Sequence, residues 1–381
     1  KLEKTLKNYA EKFPRNENVL ELLGEFYFNT NHKQKGLKVY NKLLTLNAEN
    51  TVALLALADY YRSNLQFNKS FDYIEKVVNS QQLTIDKKIE ILLRFMKIAQ
   101  KDPQLEYYYK TLVESLKKQY PDNSDVQLLY GNLLVQDGNY EKAQIEFENA
   151  LNHQPDNIQA WIKLIMIDNE LDSNQAIIKH TEKALEYYPN QAELYYYRGL
   201  AFMLEEQYDK AVDELEFGNK ITGKNDPLKF QFLYFLGETY YNVDSINNAF
   251  DYFDKALKIK PDEISLLNNY AYYLSEHDIK LDKAEQMSLK TIKKAPSNST
   301  YLDTYAWILY KNNQYQKAHK YIKQAVLNGG SNSAVIMEHY GDILFKLGNK
   351  KEAVTTWKEG SKLEDATETI KEKAEKEKYV E

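Results

Sequence analysis

The feature that most constrains this chain is a pattern of small and large apolar residues that returns about every 34 residues. It is clearest in residues 230–263, where Leu233, Leu236, Gly237 and Tyr240 precede Ala249, Phe253, Ala256 and Pro261. On each side of the polar turn at 242–245 the apolar positions fall three and four residues apart, so each half is an amphipathic helix. Gly237 and Ala249 leave room for the two backbones to approach closely, and larger side chains would force them apart. Pro261 cannot continue the second helix. One such pair leaves an apolar face uncovered. A row of pairs covers it, and stability is then shared along the row.

The same pattern runs almost from end to end. Leu20, Leu23, Gly24, Tyr27, Gly36 and Tyr40 carry it in 17–50, and Leu54, Leu57, Ala58, Tyr61 and Ile74 in 51–84. The next unit, 85–123, is irregular: Lys97 and Tyr109 stand where other units have small residues, which predicts longer helices and altered packing. Units at 124–157, 158–191 and 192–225 restore the order, and four residues at 226–229 precede the clearest unit. Three more follow, at 264–298, 299–332 and 333–365. The reading is one continuous array: 1–16 as the second helix of a truncated pair, 17–123, 124–225 and 226–367 as N-terminal, middle and C-terminal repeats, and 368–381 as a charged tail or terminal helix. Because Lys1 opens on half a pair, a longer array upstream is expected.

A 34-residue period of two helices resembles the tetratricopeptide repeat (TPR) family. The resemblance covers some ten units plus the leading half. It implies an all-α, TPR-type solenoid wound as a right-handed superhelix. It also implies a partner protein or peptide lying in the groove lined by the first helix of each unit. Carried over by position, the groove residues are Tyr196, Tyr234, Glu238, Tyr241, Asn268, Tyr272, Asp303, Trp307, Tyr310, Glu338 and Asp342. Rings interspersed with amides and carboxylates suit an extended peptide or a helix; the same rings can also serve to cover neighbouring helices. One TPR subtype grips the C-terminal carboxylate of chaperones with lysines and asparagines. Asn132 would fit that clamp, but Leu128, Gln159 and Ile162 stand where basic residues are needed, which argues against it.

The last third, with NNYAYYLSE at 268–276, TYLDTYAWILYK at 300–311 and MEHYGDILFKLGN at 337–349, looks like the closing block of long Gram-negative TPR proteins, many of them in the cell envelope. That resemblance implies a periplasmic, outer-membrane-associated location with a lipid anchor before Lys1; a cytoplasmic location is the alternative.

Composition narrows the chemistry. Lysine and arginine number 50 against 56 acidic residues, a net charge of −6, which argues against a general nucleic-acid surface. No apolar run reaches the roughly 18 residues of a membrane helix. There is no cysteine, so disulfides and zinc–thiolate sites are excluded. The six histidines show no metal-ligand spacing and read as surface or packing residues. No phosphate loop, dinucleotide fingerprint or nucleophile elbow occurs. No catalytic residue, metal or cofactor is expected. The sequence therefore reads as a non-catalytic interaction scaffold for assembly, secretion or trafficking at the envelope, or alternatively as a regulatory or targeting subunit of an enzyme complex.

Overall fold

The computed structural model describes residues 1–224 and 226–380. Among them there is no strand, and the chain is helical throughout, as the all-α reading expects. It divides into two compact units, Lys1–Asn190 and Gln191–Glu381. In the first, a single helix α1 (Leu2–Lys12) precedes the pairs α2 (Glu17–Asn29) and α3 (Lys33–Leu46), α4 (Thr51–Ser63) and α5 (Phe67–Asn79), α6 (Ile85–Ala99) and α7 (Pro103–Gln119), α8 (Ser124–Gln136) and α9 (Tyr140–His153), and α10 (Ile158–Glu170) and α11 (Asn174–Tyr187). In the second unit the pairs are α12 (Ala192–Leu204) and α13 (Tyr208–Ile221), α14 (Leu228–Asn242) and α15 (Ile246–Ile259), α16 (Ile264–Glu276) and α17 (Leu281–Lys294), α18 (Ser299–Lys311) and α19 (Tyr315–Leu327), and α20 (Ala334–Lys346) and α21 (Lys350–Gly360), followed by a last helix α22 (Glu368–Lys376).

Local chemistry sets the starts and stops. Asn16, Asn50, Asn123, Asn157 and Asn298 each cap a first helix, the side chain accepting from the backbone N–H three residues on, which satisfies a donor the helix itself leaves free. Between the helices of every pair but α6–α7 the chain reverses through a left-handed residue: Asn31, Leu65, Gly138, Asp172, Glu206, Asp244, Asp278 (with Lys280), Asn313 or Gly348. The next N–H then closes on the first helix, as Ser245 N does on the Tyr240 carbonyl at 2.9 Å, the Schellman ending of a helix. After α7, α9, α11, α15 and α17, a proline two residues beyond the helix prevents its continuation.

The tightest fit within a pair is a ring or branched chain seated on a glycine. Gly24 faces Tyr40, Gly131 faces Phe147, Gly199 faces Leu215, Gly237 faces Phe253 and Gly341 faces Trp357, and a Cβ at Gly237 would stand 2.5 Å from the Phe253 ring. The room that Gly237 leaves is thus filled by a side chain of the second helix, while Ala249 and Ala256 are buried beside it. The irregular pair α6–α7 is the longest pair, with helices of 15 and 17 residues. Its register differs from the expected one, because the buried stripe of α6 is Lys88, Leu92, Phe95 and Ala99. Lys97 is exposed, and Tyr109 is buried in a cluster with Leu112 and Leu116. Lys88 buries its stem and donates from Nζ to the Tyr120 hydroxyl at 3.1 Å.

Candidate functional site

In the second unit α12, α14, α16, α18 and α20 are the first helices of their pairs, and they carry all eleven residues expected to line a groove. Tyr196 on α12 is half-buried, edge-on to Phe232 at 5.7 Å, and burial pushes its hydroxyl pKa up to about 12. On α14, Tyr234 stacks on Phe230 and accepts from Asn269 Nδ2 at 3.0 Å. Glu238 takes a second bond from that amide at 3.2 Å and one from the Tyr273 hydroxyl at 2.6 Å. Tyr241 lies flat on Tyr273, ring centroids 3.8 Å apart. Tyr234, Glu238, Tyr241, Asn269 and Tyr273 thus form one polar-aromatic cluster across α14 and α16.

A second cluster spans α16, α18 and α20. Asp303 pairs with Nδ1 of His339 at 2.9 Å. The imidazole of His339 stacks on Trp307, whose other neighbour is the parallel ring of Tyr310 at 4.7 Å. Trp307 Nε1 donates to Glu276 at 2.6 Å. Burial works against charge on His339, but the carboxylates of Asp303, Asp342 and Glu276 outweigh it and hold the ring above its ordinary pKa. Burial raises the Asp342 carboxyl, with Lys373 opposing. Lys373 itself is raised because its two carboxylate partners outweigh the burial penalty.

The structure differs from the sequence reading in how open this face is. Asn268, Asp303, Trp307, Tyr310 and Asp342 are buried, the last at 2 % exposure, because neighbouring side chains lie over them. Part of that cover comes from the tail. The charged segment after 367, expected as a charged tail or terminal helix, packs on the last pair. Ile370, Lys373 and Ala374 of α22 are buried, and Lys373 bridges Glu338 at 2.9 Å and Asp342 at 2.7 Å. Asp342 also accepts from Trp357 Nε1 at 3.0 Å. Tyr272 stays half-buried beside a cleft of about 530 Å³ that also borders Glu276, Trp307, Lys311 and Glu338. Asn269, Tyr273, Glu276, His339, Lys373 and Tyr379 were not singled out in sequence. The first three sit on the same helix as Asn268 and Tyr272, and their alternation with those residues is the signal that could have found them.

Among the described residues no group of His, Asp and Glu is arranged to hold a metal ion. His180 is buried on α11 with its ring nitrogens 2.6 Å from Asp168 and 2.8 Å from Glu148. Gln144 Nε2 donates to the same aspartate at 2.7 Å, so the group joins α9, α10 and α11. Joining three helices, it is a packing element.

Compared with known families, residues 230–263, where the pattern is clearest, match the model described as tetratricopeptide repeat. The chain carries a tetratricopeptide repeat. Further TPR-bearing sequence at 277–360 matches anaphase-promoting complex, cyclosome, subunit 3, and 124–223 matches the TT21 fifth ARM repeats domain. The BBSome complex member BBS4 of Bos taurus is 24% identical over 248 residues, covering 64% of this chain and 45% of that protein. The TPR repeat-containing protein MJ1428 of Methanocaldococcus jannaschii is 25% identical over 346 residues, covering 76% and 60%. The chain therefore spans about half the length of the curated relatives it matches. The solved APC/C hetero-tetramer Cut9–Hcn1 superposes with a TM-score of 0.52 at 13% identity, over 95% of this chain and 76% of that one, a likeness of fold. No catalytic family is among these matches. No helix among the described residues is long and apolar enough to cross a membrane. Like other TPR proteins, this one is suited to protein–protein interaction.

Proposed function

We propose that this protein is a non-catalytic scaffold that binds a protein or peptide segment along the first helices of its second unit. The observation that carries the reading is the cleft beside Tyr272, Glu276, Trp307 and Lys311. There, rings and charged groups from successive first helices converge on space large enough for several side chains. Rings supply contact area at low entropic cost, and the flanking charges fix register. Asp303 and Trp307 are buried and hold α18 to α20, so they act beneath the binding face, while Tyr272, Tyr241 and Glu276 meet the partner. The resemblance of residues 268–349 to envelope TPR proteins supports placing the scaffold in the periplasm of a Gram-negative cell, in assembly, secretion or trafficking; fractionation of cells expressing the full gene tests that placement.

A photo-crosslinking amino acid placed at Glu276 tests the binding face. Defined protein adducts are expected there and not with the same probe at Lys255, which lies on a second helix. Equal labelling at both positions overturns the reading.

A further inference from the structure

The C-terminal segment makes contacts of two kinds. Ile370 and Ala374 are buried in one cluster with Met337, Leu344 and Trp357, and covering the last apolar face of a repeat array requires nothing more. The remaining contacts reach across the first-helix face. Lys373 sets its ammonium between Glu338 and Asp342, and Thr367 donates to Glu338 at 2.8 Å. Glu377, with φ +52°, turns the chain back after α22. Tyr379 then accepts from the Tyr310 hydroxyl at 3.2 Å, a contact spanning 69 residues. Its ring packs on Phe345 at 5.8 Å, with the Lys346 ammonium 4.7 Å from its centre. A terminal cap needs neither a two-carboxylate seat for a lysine nor a tyrosine laid back onto α18.

We propose that this seat is a peptide-binding site for a lysine followed six positions later by a tyrosine, as Lys373 is by Tyr379, and that residues 367–380 fill it as an internal ligand until such a segment displaces them. The inference rests on the reading of this face as the partner-binding one and names what it takes. An ammonium has three donors to satisfy, and Glu338 and Asp342 offer charged acceptors from one face of α20. The tyrosine brings a ring for Phe345 and a hydroxyl for Tyr310. The cleft beyond Lys373 and Tyr379, towards Tyr272 and Lys311, leaves room for a longer ligand to continue along the face.

The internal ligand is built to leave. A helix of nine residues is too short to persist without its packing. Its outer ion pairs, Lys371–Glu368 and Lys358–Glu377, lie in solvent and hold little. The buried contacts of Ile370 and Ala374 and the Lys373 pairs hold it, and tethering adds to them, since a linked segment competes at a local concentration on the order of millimolar.

The test uses the full chain and a fluorescein-labelled synthetic peptide of residues 367–380, read by anisotropy. The Lys373→Ala, Tyr379→Ala double variant is expected to bind that peptide at least tenfold more tightly than the parent, and a peptide carrying the same two alanines to bind neither protein. Equal affinity for both proteins overturns the inference, as does binding that ignores the peptide's lysine and tyrosine. Should circular dichroism show that the double variant loses its last repeat, Tyr379→Ala alone, which leaves Ile370, Lys373 and Ala374 in place, supplies the comparison; a gain of about threefold is then expected, and none overturns it. Crosslinking at Glu276 reports separately on the face. Adducts there with no peptide effect leave the scaffold reading standing and remove only the internal ligand.

Discussion

The indole of Trp307 lies parallel to the imidazole of His339, their centroids 3.9 Å apart and their planes 14° apart. The stack joins α18 to α20 and makes the junction sensitive to the charge on one ring. His339 is held above the ordinary histidine value of 6.5 by Asp303 and its neighbours. Its contribution is therefore complete below that value and is lost as pH rises through the raised one. Asp342, also raised by burial, has the same sign, but its contribution is complete only below the ordinary 3.8 and is lost as pH rises through its own raised value. The second unit is expected to melt at a higher temperature near pH 6 than near pH 8, and His339→Gln to remove most of that slope. A scanning calorimetry series over this range checks it; an unchanged slope in the variant refutes the assignment.

Gly237→Ala is expected to destabilise by about 1–3 kcal/mol, since the added methyl meets the Phe253 ring at 2.5 Å. Urea unfolding monitored by circular dichroism measures it. Parent-like stability would mean that the ring does not sit on this glycine.

Leu65 occupies a left-handed turn position, φ +56°, with its side chain 78 % exposed. That conformation costs a leucine roughly 1–2 kcal/mol and glycine almost nothing. Part of the relief is cancelled by the greater freedom of glycine in the unfolded chain. Leu65→Gly is expected to stabilise by about 0.5 kcal/mol, visible as a small rise in melting temperature of the first unit. A fall would show that the leucine has a packing role.

His180→Ala removes the group that both Asp168 and Glu148 reach. Asp168 is fully buried and, among the described residues, keeps the bond from Gln144, so the loss is expected to be about 3 kcal/mol, combining an under-satisfied buried carboxylate with a cavity. Denaturant titration of the first unit gives the number; a loss below about 1 kcal/mol would show that the buried carboxylate is satisfied without the histidine.

The helix pairs were legible because residues such as Leu236, Gly237, Ala249 and Phe253 keep one spacing through the chain, and spacing decides which side of a helix is apolar. The register of the third pair was not, because Lys88 enters the buried stripe of α6; a lysine whose stem is buried looks like a surface residue in sequence. The same limit applies to the binding face. The period places Asn268, Asp303, Trp307, Tyr310 and Asp342 on the first helices. Which residues lie over them depends on contacts with distant partners, His339 to Asp303 and Tyr379 to Tyr310. In the tail, expected as a charged tail or terminal helix, the charges dominate the sequence while the short stripe of Ile370, Lys373 and Ala374 makes the buried contacts.

The seating of Tyr40, Phe147, Leu215, Phe253 and Trp357 on glycines of their own pairs bears on how such a chain changes length over time. These five fits are each contained within one module, so such a module can be duplicated or lost without its ring parting from its glycine, whereas the Phe232 ring sits on Gly218 of the preceding module and ties two neighbours together. Growth and shortening then alter how much surface is on offer to a client and leave the internal joinery of every surviving module as it was.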